Sequence, residues 1–172
     1  MLNNRNLSSK RDAFTLIEVL IVVIILGILA AIVVPQFSNA SQDVTRSTLQ
    51  TSLDILRDGA ELMRQKSPTS DYPTTIDSTW FSSGVGPTHP ENSFGVTNVE
   101  VEDASGKSHP TNKVLKAGIG GAFWYNPAEG IIRARVADQG TSNSTLTFYN
   151  QVNESSESAL GNYSGGGGGF GS

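Results

Sequence analysis

The sequence predicts an α+β fold in which a long N-terminal helix packs on a small antiparallel sheet. Two observations carry that expectation. First, a predominantly apolar run from Phe14 to Val34 passes, at Pro35, into a stretch whose apolar residues recur at helical spacing. Second, Ala122–Asn126 and Ile131–Val136 are β-prone runs that flank the turn-forming Pro127-Ala128-Glu129-Gly130.

The apolar run comes first. As a helix rising about 1.5 Å per residue it covers roughly 31 Å, enough to cross a hydrocarbon core. Arg5, Lys10 and Arg11 precede it. Basic residues stay on the cytoplasmic side, so everything after Pro35 is expected on the outer side. A secretory signal peptide has a shorter apolar region followed by a small-residue cleavage site, and neither feature is present. A plain membrane anchor fits the length but leaves Glu18 unexplained. A carboxylate inside an apolar segment costs on the order of 3 kcal/mol on insertion scales, so it points to a function.

Beyond the run, Phe37, Ala40, Val44, Leu49, Leu53, Leu56, Ala60 and Met63 trace one helical stripe. Ser67-Pro68 is a natural stop. Gln42, Asp43, Arg46, Asp54, Arg57, Asp58 and Arg64 form the opposite, solvated face. Pro35 removes a backbone donor and crowds the turn before it, which predicts a kink there. Gly27 weakens the helix by up to about 1 kcal/mol relative to Ala.

The C-terminal half is loop-rich from Ser78 to Lys113, with a short strand expected over Val96–Val101. The hairpin follows, and Thr145–Tyr149 reads as a further strand. Trp124 and Tyr125 are expected to alternate between core and solvent. From Glu154 onward Ser, Glu and Gly dominate, which predicts a flexible tail over residues 154–172.

Composition excludes several function classes. The 172-residue chain has no cysteine, so disulfides, cysteine zinc sites and thiol chemistry are absent. A net charge of -4 gives no footprint for nucleic acid. His89 and His109 fall in separate Pro-containing loops and are expected to be exposed, with no third ligand at a metal spacing. No phosphate-binding, zinc-protease or serine-hydrolase motif occurs. The expectation is a protein that is not an enzyme.

The segment Ala13 to Pro35 resembles the class III signal of type IV pilins and type II secretion pseudopilins, and Phe14-Thr15-Leu16-Ile17-Glu18 matches the common form of that motif. The resemblance implies a pilin-like fold. It also implies cleavage by a prepilin peptidase between Ala13 and Phe14, N-methylation of Phe14, and a Glu18 that pairs with the Phe14 amine of a neighbouring subunit during assembly. Gly27 and Pro35 fall where the family bends its helix, and the stretch between them can lose helical order in filaments. The family commonly has Gly after a basic residue before the cut, whereas this chain has Asp12-Ala13.

The implied organisation is a leader over 1–13, a membrane and assembly helix over 14–35, an amphipathic helix over 36–67, a β-rich domain over 68–153 and the tail. Asp71-Tyr72-Pro73-Thr74-Thr75 is similar to the element that follows the long helix in major pseudopilins. The function implied is therefore a structural subunit of a type II secretion pseudopilus. Alternatives are a type IV pilin for adhesion, motility or DNA uptake, and a membrane-anchored binding or enzymatic domain. Implied partners are further copies of the chain, minor pseudopilins or pilins, the peptidase, an inner-membrane assembly platform and the membrane. The implied location is the bacterial inner membrane, single-pass, with the C-terminal domain periplasmic or extracellular. No cofactor is expected. Major pseudopilins often bind calcium in a C-terminal loop, but the comparable Ala137–Asn143 has one carboxylate, so the sequence does not support it.

Overall fold

A computed structural model describes residues 14–92, 97–118 and 120–161, without the side chains of 34–39 and of Thr97. In chain order the elements are α1 (Leu16–Lys66), a 3₁₀ turn (Ser78–Trp80), β1 (Thr97–Val101), β2 (Gly121–Asn126), β3 (Ile131–Ala134) and α2 (Ser142–Asn153). The chain divides into two compact units between Ser41 and Gln42, inside α1. The fold is α+β.

The first unit is the apolar part of α1. Its side chains from Leu16 to Val33 are all exposed, which a water-soluble helix of this composition does not tolerate. The second unit holds the core. Leu49, Leu53, Leu56 and Ala60 recur at steps of four, three and four, so they fall on one face of α1, and each is essentially inaccessible. The stripe begins later than expected, because Val44 is exposed. Against it pack Phe123, Tyr125, Ile132, Ala134, Val136, Phe148, Tyr149 and Val152.

The sheet is small and mixed, in the order β1-β2-β3. The hairpin forms as expected, with Phe123 opposite Ala134 and Tyr125 opposite Ile132. β1, however, runs parallel to β2, with Val99 beside Phe123. The all-antiparallel expectation is therefore corrected. Parallel neighbours need a long return connection, and residues 102–120 supply one. Trp124 and Tyr125 do alternate between faces, yet both are fully buried. On the face opposite the core, Trp124 donates its indole N–H to Glu102 Oε2 at 2.8 Å.

The expected strand over Thr145–Tyr149 is instead the centre of α2. Thr141 caps it, accepting from the Ser144 N–H at 3.1 Å, and Thr145 donates its hydroxyl to Thr141 O at 2.7 Å. Thr145, Phe148, Tyr149 and Val152 are buried at i, i+3, i+4 and i+7, a helical stripe that overrides their β-propensity. Asn153 then fastens α2 to β3. Its side-chain oxygen accepts from Ala134 N at 2.8 Å, and its amide donates to Ala134 O at 2.9 Å and Tyr149 O at 3.1 Å.

Residues 154–161 of the expected tail pack on the domain. Leu160 joins the core, Asn112 pairs with Gly161, and the Glu157 carboxylate meets Lys113 at 3.1 Å and His109 at 3.4 Å. Residues 162–172 lie outside the described region, as does the leader.

The candidate assembly site at the head of the apolar helix

Of the five residues singled out by sequence, Phe14, Glu18, Gly27 and Pro35 sit at or within α1. Ala13 lies outside the described residues. Phe14 lies two residues before the first residue of the helix and is largely exposed. Glu18 is the single charged residue of the 16–33 segment. It does not extend into open space. Thr15 donates both its backbone N–H and its hydroxyl to Glu18 Oε2, each at 2.8 Å, while the Glu18 N–H points back to Thr15 Oγ1 at 3.4 Å. These reciprocal bonds are a capping box, the Thr-x-x-Glu arrangement that satisfies backbone donors at a helix start. Thr15 is thus a site residue that sequence reasoning quoted without assigning it a role. Its signal was the spacing itself.

The arrangement does two things chemically. It gives a carboxylate in an apolar segment two hydrogen-bond donors, which lowers the cost of holding it there. It also confines that carboxylate to one side of the helix head, one turn from Phe14. Farther along, a side chain added at Gly27 would meet nothing within 4 Å, so no contact inside the chain requires glycine there. α1 is helical without interruption across Gly27 and Pro35.

The two histidines are not the exposed loop residues expected. His89 is buried, with Nε2 at 2.7 Å from Arg135 O and Nδ1 accepting the Glu91 N–H at 3.1 Å. His109 is half-buried, with Nδ1 at 2.8 Å from the Tyr149 hydroxyl. Both are spent on packing contacts that a local reading of Pro-containing loops does not reveal.

The loop compared with a calcium site can be tested against its bonds. Asp138 Oδ1 accepts from Gly140 N at 2.9 Å and from the Thr145 hydroxyl at 3.1 Å. Glu91 approaches the same loop near the Ala137 backbone, and its Oε2 is buried without a hydrogen-bond partner. Among the described residues no group of three metal-binding side chains forms. Two carboxylates, one already bonded within its own loop, do not make the oxygen-rich shell of six to eight ligands that calcium takes.

Known proteins bear on the helix head directly. Residues 8–34 match the family described as the prokaryotic N-terminal methylation motif. The N-terminus is of the prepilin type. The chain is also similar to the type II secretion system core protein G of Vibrio cholerae serotype O1, strain ATCC 39315 / El Tor Inaba N16961. The two are 37% identical over 82 residues, which is 48% of this chain and 54% of the relative. The chain thus spans about half the length of the curated relative it matches. No solved structure gives a significant match. Together the motif and the relative support a pseudopilin.

Proposed function

We propose that the chain is a structural subunit of a type II secretion pseudopilus, a filament whose growth is coupled to protein export. The observation that carries this reading is the Thr15–Glu18 cap at the head of a wholly exposed apolar helix, inside a matched methylation motif. Similarity to a secretion core protein favours the pseudopilus over an adhesive or motility pilus. The chain is assigned no catalytic role and no cofactor.

The mechanism follows from charge. A prepilin peptidase cuts between Ala13 and Phe14 and leaves an ammonium at the end of an apolar helix, where Phe14 is then methylated. That charge is costly in hydrocarbon unless it is paired. Glu18 of an adjoining copy supplies the carboxylate, and Thr15 keeps it oriented. A buried pair of this kind sets register more than it adds stability. Gly27 and Pro35 allow the helix to bend as copies pack. Assembly takes place on an inner-membrane platform with minor pseudopilins, and the C-terminal domain lies in the periplasm.

Mass spectrometry of the chain co-expressed with a prepilin peptidase tests the reading. The expected product begins at Phe14 and carries one added methyl group. A mature protein that keeps Met1, or is cut after Ala31, overturns it.

A further inference from the structure

Two clefts of similar size and opposite charge flank the β2–β3 turn. One, of about 260 Å³, brings together Arg57 of α1 and Arg133 of β3, with Asn153 and Glu154 at the end of α2. The other, of about 280 Å³, brings together Asp71 and Asp103 beside Tyr72 and Pro127.

Arg133 is held in place by carbonyl oxygens without an ion pair, while Arg57 meets only an exposed carboxylate. Arg133 donates through Nη1 to Asn153 O at 2.8 Å and through Nε to Ser108 O at 3.2 Å. Among the described residues no carboxylate forms an ion pair with it, and Arg57 reaches only the exposed Asp54, at 3.3 Å. Glu154 lies in the lining of the cleft yet pairs with neither. Burial and, more weakly, Arg57 hold the Arg133 guanidinium below its ordinary pKa, although Tyr149 and the Glu157 carboxylate oppose the shift. Two partly covered cations sharing a cleft are relieved by an anion. Asp71 and Asp103 are exposed and likewise form no ion pair among the described residues.

We infer that the arginine cleft is a carboxylate-binding site, and that its occupant is the Asp71–Asp103 cleft of a second copy of this chain. The inference rests on the filament reading and names one of its contacts. Such pairs contribute little stability individually, but matched charges set orientation and exclude wrong registers. Opposite charge on one chain makes the surface self-complementary, as repeated assembly of identical subunits requires.

The full chain in membranes allows a clean test, because it has no native cysteine. A variant carrying Arg57→Cys and Asp71→Cys together is oxidised and compared with each single variant. The expected result is a ladder of covalent multimers from the double variant and nothing beyond dimers from either single variant, because one thiol per chain joins chains only in pairs. Separately, Arg57→Glu is expected to weaken assembly by about fivefold, the scale of one exposed pair, and adding Asp71→Arg to restore it, since Arg133 still faces Asp103. Filaments without the ladder, or a reversal that the second change does not rescue, overturn the inference alone. A ladder without filaments leaves the charge pairing standing and sinks the pseudopilus reading instead. Arg57→Glu is the arm that guards against misfolding, since Arg57 has no buried contact to lose, unlike Arg133.

Discussion

His89 shows how one side chain can tie pH to the fold. Its Nε2 faces a carbonyl and its Nδ1 accepts a backbone N–H, so the bonded form is the neutral ring protonated on Nε2. The ring also packs against Phe123 at 5.5 Å between centroids. Protonating Nδ1 breaks the Glu91 contact and places a charge in a buried site. Burial accordingly pushes the His89 pKa below its ordinary value of 6.5, and burial moves His109 the same way. The unfolded chain then binds more protons, and stability is fully present above about pH 6.5 and lost as pH falls from there through the folded-state values. The thermal midpoint of the full chain in detergent should be level above pH 7 and fall toward pH 5. His89→Gln should be less stable throughout and show a shallower fall, His109 supplying the remainder. Identical slopes for the two proteins would refute the assignment to His89.

At the scale of elements, the domain is held by segments that read as loop or tail. Tyr72 lies against Gly130, whose φ of +66° suits glycine and whose missing side chain makes room for the ring. The same tyrosine donates its hydroxyl to Glu61 at 3.3 Å, and Pro73 O accepts from Tyr125 at 2.7 Å. The Tyr-Pro-Thr element therefore joins the end of α1 to the hairpin. On the other side, Asn150 bonds to Ser155 and Glu157 and folds the chain after α2 back toward Lys113. Leu160 closes this edge of the core. Leu160→Ala should lower stability by about 2–4 kcal/mol in urea unfolding, the usual cost of emptying a buried leucine site. A change under about 0.5 kcal/mol, typical of a surface position, would show that this segment does not contribute to the core.

At the scale of the whole molecule, the prediction concerns the helix head. Glu18→Ala removes the carboxylate and the capping box together while leaving the apolar run intact. The variant should insert and be cleaved normally, yet its filament yield should drop by about tenfold or more, in line with an uncompensated ammonium in an apolar surround. Electron microscopy and a pelleting assay on cells expressing the variant would measure this. Filaments at the normal yield would remove Glu18 from the assembly mechanism.

The apolar helix was legible in the primary sequence, because it depends on local composition. An apolar run of membrane length, the lone Glu18 within it and Thr15 at capping distance are all properties of neighbours along the chain. The long helix, the hairpin and the α+β class were legible for the same reason, since each follows from periodicity or a short turn. The rest required the tertiary structure. Whether β1 runs parallel to β2 depends on how the 102–120 connection returns. Whether Thr145–Tyr149 is helix or strand depends on which face finds the core, and there a helical stripe outweighed β-propensity. The burial of His89 and Leu160, and the meeting of Arg57 with Arg133, join residues far apart in sequence. Long-range packing, which no local pattern encodes, decided them.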